Sequence, residues 1–83
     1  MYQSKKEHNQ RIEENVKIRK LIRIKTVANL TSLSKSYIYE LCKKGAFPSS
    51  IQLVPQGNSV AWVESEVEGW IEERIAERDQ EAT

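Results

Sequence analysis

Cysteine, histidine, glycine and proline are all scarce in this 83-residue chain, which has one Cys, one His, three Gly and two Pro. With Cys42 alone no internal disulfide can form, and with His8 as the sole imidazole no ligand set for structural zinc can be assembled. The same scarcity removes the nucleophile and base pairs used in covalent catalysis, and three scattered glycines make no phosphate-cradling loop. The residues therefore point away from an enzyme and call for neither a metal nor a cofactor. Long apolar runs are also missing: none approaches the ~20 residues that cross a bilayer. Met1 to Gln10 is polar throughout, unlike a secretion signal. The expectation is a cytoplasmic protein with no membrane partner.

Charge, by contrast, is abundant and unevenly placed. Residues 1–44 hold 11 of the 13 Lys and Arg against four Glu, a balance of +7, while residues 45–83 hold two Arg against eight acids, a balance of −6. The formal net charge of +1 hides this division. A basic half attracts phosphate locally whatever the total, so the modest net charge does not argue against nucleic acid.

A chain of this length supports one core. Residues 1–19 offer only Ile12, Val16 and Ile18 among charges and amides, apart from the aromatic Tyr2 near the start, too little to offset the cost of ordering the backbone. A flexible tail is expected there, a domain over residues 20–79, and a frayed end over 80–83. Leu21 to Ile24 is a short apolar opening, and Val27 and Leu30 then lie on one face of a first helix, roughly Lys25 to Leu30. Thr31 to Ser34 form a break, with Ser34 as the N-cap of a second helix that runs to Lys44. Lys43 and Lys44 suit the negative end of the helix dipole, Gly45 suits a left-handed C′ position, and Pro48 prevents continuation.

Two short helices across a four-residue turn have the spacing of a helix-turn-helix. Ile51 to Val54 and Ser59 to Val63, rich in β-branched and aromatic residues, flank Pro55 to Asn58 and predict a hairpin whose turn draws on the backbone freedom of Gly57. A third helix is expected to open on Ser65, with Glu68 completing a capping box. Its apolar stripe is Val67, Trp70, Ile71 and Ile75; Glu68, Glu72, Glu73 and Glu77 occupy the remaining surface. The predicted fold is α+β and mainly helical: a small winged helix-turn-helix of three helices and a β-hairpin wing, with a flexible N-terminal tail.

Four landmarks occur in order: Ile24-Lys25-Thr26-Val27-Ala28, then Leu33-Ser34-Lys35-Ser36-Tyr37-Ile38-Tyr39, then Gly45-Ala46-Phe47-Pro48, and finally Trp62 with Glu66-Val67 and Trp70. On these, residues 22–71 resemble the AlpA-type regulators and phage excisionases, themselves similar to the winged-helix DNA-binding domain of MerR proteins. The resemblance implies a role as transcriptional regulator, as a recombination directionality factor that bends DNA for an integrase, or as both. Double-stranded DNA is the implied partner, with an integrase and further copies of the chain bound cooperatively along DNA as further candidates. Association with the nucleoid would follow.

Helical geometry assigns the contacts. Ile38, Leu41 and Cys42 fall on one side of the second helix and face the core, with Val27, Leu30 and Leu33 opposite them. The outward face carries Ser36, Glu40 and Lys43, flanked by Tyr39 and Lys44, with Lys35 at the helix start and Tyr37 nearer the core. In a major groove Lys43 can reach guanine acceptors or phosphate, Ser36 can donate or accept, and Glu40 can accept from a cytosine amino group. Lys25 and Thr26 at the start of the first helix, extended by Arg23, suit a phosphate. At the wing tip Gln56, Asn58 and Ser59 can hydrogen-bond to DNA, but no cation is there, so few counterions would be released on binding. A protein–protein interaction module, in which the acidic third helix meets a basic partner, stands as the alternative from a different class.

Overall fold

Val27, Ile38, Trp62 and Val67 have no solvent exposure, and they come from four different elements that therefore meet at one point. The computed structural model describes residues 18–82, arranged as β1 (Leu21–Ile22), α1 (Ile24–Thr31), α2 (Lys35–Lys43), β2 (Ile51–Gln52), β3 (Val60–Val63) and α3 (Glu64–Ala82). The tail expected over residues 1–19 lies, except for Ile18 and Arg19, outside the described residues. Ile22 and Phe47 complete the core, and Ile24, Ala28, Leu33, Leu41, Cys42, Val60, Trp70 and Ile71 pack around it. The expected fold, three helices and a hairpin, is the one observed.

The sheet has one strand more than the hairpin. Its order is β1-β3-β2, with β3 antiparallel to both neighbours: Leu21 lies opposite Val63, Ile22 opposite Trp62, Ile51 opposite Ala61 and Gln52 opposite Val60. Leu21 to Ile24, read from sequence as a mere apolar opening, thus splits into a strand whose Ile22 is buried and a helix that starts at Ile24. Only the pairing partner some forty residues away makes those two residues a strand.

On α1 the buried face is Ile24, Val27 and Ala28, an i, i+3, i+4 set. Leu30, expected in the core, lies off that face and is 43% exposed. The α1–α2 turn is closed by its hydroxyl residues: Thr31 Oγ1 donates to the Val27 carbonyl at 2.9 Å and accepts from the Leu33 amide at 3.2 Å. Ser32 takes a left-handed conformation with φ 64°.

The third helix begins one residue before the expected cap. The Glu64 amide donates to the Lys20 carbonyl at 2.8 Å, so the strand backbone satisfies a helix-start donor and Ser65 sits inside the first turn. Ser65 is therefore not the N-cap that the expected Ser65–Glu68 capping box requires. Helix α3 runs through to Ala82, into the stretch 80–83. Beyond Ile71 it has little to pack on: Ile75 is 38% exposed, and the helix surface carries an Arg74–Glu77 pair at 2.8 Å.

Gly69 lies inside α3, and a Cβ built there meets nothing within 4 Å. Because glycine in a helix interior costs about 0.5–1 kcal/mol relative to alanine, Gly69→Ala is expected to stabilise the fold by that amount. A thermal melt should move up by ~2–8 °C. A lower melting temperature would show that position 69 is under a constraint the monomer does not display.

Candidate nucleic-acid interface

Helix α2 is held from both ends and from behind. Ser34 Oγ accepts from the Tyr37 amide at 3.1 Å, the N-cap expected from sequence. At the other end the Gly45 amide donates to the Cys42 carbonyl at 3.1 Å and the Ala46 amide to the Leu41 carbonyl at 2.9 Å, with Gly45 at φ 73°. These two bonds and the left-handed glycine are a Schellman closure, again as expected from Gly45, with Lys44 as the C-cap rather than the last helical residue. Fully buried Ile38, with half-buried Leu41 and Cys42, fixes which side faces inward.

The opposite side is open. Lys35, Ser36, Tyr39, Glu40 and Lys43 are all exposed, and Ser36, Glu40 and Lys43 follow one another at i, i+4 and i+7 along a single face. Tyr39 is 47% exposed, its ring 6.0 Å from that of Trp62, so it joins this face to the central strand of the sheet. Tyr37, 48% exposed, lies on the far flank. Glu40 and Lys44 approach to 4.0 Å across one helical turn, a contact weak in energy because both side chains are more than half exposed. It does place a cation beside the one acid of this face.

The start of α1 carries Arg23 at the N-cap position, without a side-chain cap, followed by exposed Lys25 and Thr26. No acid lies in its first turn. Basic residues at the positive end of a helix dipole are unfavourable by themselves, and an anion there relieves both. Lys20 and Arg19, in contrast, face acids of α3: Lys20 pairs with Glu64 at 3.8 Å and Arg19 with Glu66 at 4.0 Å. Lys20 thus belongs to the α3 side.

In the wing the Gly57 amide donates to the Val54 carbonyl at 2.9 Å, with Pro55 and Gln56 between them and Gln56 at φ 64°. This is a type II turn, in which the left-handed residue is Gln56 and not Gly57 as expected. Gly57 is needed instead for room: a Cβ there would come within 3.2 Å of both the Cβ and the carbonyl oxygen of Val54. Gln56 and Asn58 are exposed, while Ser59 is half-buried and its carbonyl accepts from the Leu53 amide at 2.8 Å. The Gln52 side chain donates to the Gly57 carbonyl at 2.8 Å and clamps the tip.

Three exposed apolar side chains of the wing, Ile51, Leu53 and Val54, were not singled out by sequence reasoning. Their signal was present in the run Ile-Gln-Leu-Val, which departs from strict alternation at its end. Trp62 and Phe47 are core; Trp70 is half-buried and donates from Nε1 to the Ala46 carbonyl at 2.9 Å, with Phe47 edge-on to its ring. The acids Glu68, Glu72, Glu73 and Glu77 are exposed on α3. Among the described residues no cluster of His, Cys, Asp and Glu could hold a metal, and no helix is long and apolar enough to cross a membrane.

Two helices across a tight turn, a third helix and an antiparallel hairpin make this a small winged helix-turn-helix protein. The chain belongs to the family described as Prophage CP4-57 regulatory protein (AlpA), whose model matches residues 20–75. That stretch contains every candidate contact from Arg23 to Ser59. The chain is also 46% identical over 59 residues to a protein of Enterobacteria phage P4 described as "Uncharacterized protein ORF88". The match covers 71% of this chain and 65% of the phage protein, so the chain spans just under two thirds of that relative's length. No solved structure matches the chain.

Proposed function

We propose that the protein is a sequence-specific double-stranded DNA-binding regulator of a mobile genetic element, with α2 as its reading helix. The observation that carries this is the open face of α2, where Ser36, Glu40 and Lys43 stand outward on a helix fixed by Ile38 and capped at both ends. Ser36 and Lys43 read base edges in the major groove and Glu40 accepts from a cytosine amino group, while Arg23, Lys25, Thr26, Lys35 and Lys44 position the helix on phosphates. Tyr39 and Tyr37 lie along the rims of the same face, and Gln56, Asn58 and Ser59 add neutral contacts from the wing.

The test is selection of duplexes from a random pool, followed by competition between the selected and an unrelated sequence. Ser36→Ala and Lys43→Ala are each expected to lower the preference by ~1–3 kcal/mol, the worth of a good base contact, while the fold stays intact by circular dichroism. Undiminished preference in both variants would remove α2 from the reading role.

Within this reading the protein acts as an excisionase that serves an integrase with several copies side by side, as a promoter regulator, or as both. Membership of a family described as regulatory supports either. Excision frequency with and without the gene, and transcript levels in a strain lacking the integrase, separate them. An effect confined to recombination excludes the promoter role, and unchanged excision excludes the other.

A further inference from the structure

No charged side chain falls between Lys44 and Glu64. The wing therefore has nothing with which to hold a phosphate by charge. What it exposes is apolar: Ile51 at 41%, Leu53 at 39% and Val54 at 56%, with exposed Pro55 next in the chain. A floppy loop with this composition would collapse onto the core, but this tip is held out by its own bonds. The Val54–Gly57 turn, the Gln52 clamp on the Gly57 carbonyl and the Leu53–Ser59 backbone bond fix it, and a side chain at Gly57 would crowd Val54. The result is an exposed apolar knuckle held by its own hydrogen bonds, with the neutral amides of Gln56 and Asn58 exposed beside it.

We infer that Leu53, Val54 and Pro55 form a wedge that enters the minor groove and parts one base step beside the sequence read by α2. The inference rests on the DNA-binding reading above and deepens it. Minor-groove proteins that unstack DNA combine two features: apolar side chains pushed between bases, and Asn or Gln on the groove edges. Both are present here and cations are not. Tyr39 of α2 is in ring contact with buried Trp62 of β3, the strand that carries the wing, so the reading helix and the hairpin are tied together through the core. The step parted should be an easily unstacked pyrimidine–purine step, and the wedge adds affinity without adding to the salt dependence.

The experiment uses the full chain and a duplex that it selects from a random pool, with 2-aminopurine placed at successive positions. The wild type is expected to raise the fluorescence at one step. Leu53→Ser with Val54→Ser should abolish that rise and weaken binding, yet leave the slope of log affinity against log salt unchanged. Val54→Lys should raise that slope by about one unit, for one added phosphate contact, and still lose the rise. If the wild type binds its duplex without brightening any step, or the double Ser variant brightens it equally, the wedge is wrong and the α2 reading stands. If no duplex is selected, the DNA-binding reading falls and the wedge with it. A change in sedimentation of the free protein on Leu53→Ser and Val54→Ser, with the DNA signal intact, assigns the knuckle to contact between copies and overturns the inference.

Discussion

Trp62→Ala is expected to leave little folded protein at room temperature. Trp62 is the largest fully buried side chain and sits on β3, the strand with a neighbour on either side. Its indole Nε1 donates to the Pro48 carbonyl at 3.0 Å, which ties the segment after α2 to the sheet, and its ring meets Tyr39 of α2. Truncation removes both ties and leaves a cavity in a core of few residues. Replacing a buried tryptophan with alanine costs ~3–5 kcal/mol. A fold of this size has only ~3–10 kcal/mol in total, by the usual stability per residue. Urea denaturation followed by far-UV circular dichroism measures the loss. Trp62→Phe, which keeps much of the apolar volume and loses chiefly the indole hydrogen bond, should fall between the two. An alanine variant with an unchanged midpoint would mean that the sheet does not depend on this side chain.

The second large effect is on the affinity for DNA as salt rises. Arg23, Lys25, Lys35 and Lys44 supply four cations for phosphates on the proposed interface, Lys43 being turned to base edges, and the wing supplies none. If each neutralises one phosphate, log affinity falls with log salt at a slope of about −3.6, and a fourfold rise in salt weakens binding by about 150-fold. Lys44 shares its charge with Glu40, so a slope somewhat shallower than this is the expected reading. Fluorescence anisotropy on a labelled duplex measures it directly. Lys35→Ala and Lys25→Ala should each lower the magnitude of the slope by about one without changing which sequence is preferred, because phosphate contacts carry no sequence information. A flat salt response would favour the interaction-module alternative, in which the acidic face of α3 meets a basic partner.

Much of this was legible in the sequence because it is local. Ser34 caps α2 and Gly45 closes it through bonds that span three to five residues, so side-chain identity and position suffice. The amphipathic period similarly gave the inward Ile38 and the outward Ser36, Glu40 and Lys43. The misreadings concern bonds to distant partners. Ser65 looks like a cap until the Lys20 carbonyl takes the Glu64 amide, and Leu21 and Ile22 look like a helix lead-in until β3 pairs with them. Leu30 fits an apolar period yet lies outside it once Ile24 joins α1 and turns the buried face to Ile24, Val27 and Ala28. Gly57 looked like the flexible residue of its turn, but Pro55 at the second position of a type II turn puts the left-handed residue at Gln56.

The sequence by itself determined the three helices, the tight turn between the first two, the existence of the hairpin, the charge division and the face of α2 that points outward. Each follows from periodicity, capping and composition, which act over a turn or two of chain. Only the tertiary structure decided that a third strand joins the sheet, that β3 and Trp62 sit at its centre, and that Ile51, Leu53 and Val54 of the wing are left exposed. Those depend on which backbone donors and acceptors, and which apolar surfaces, are already taken by segments far away in the chain, and no local pattern records that.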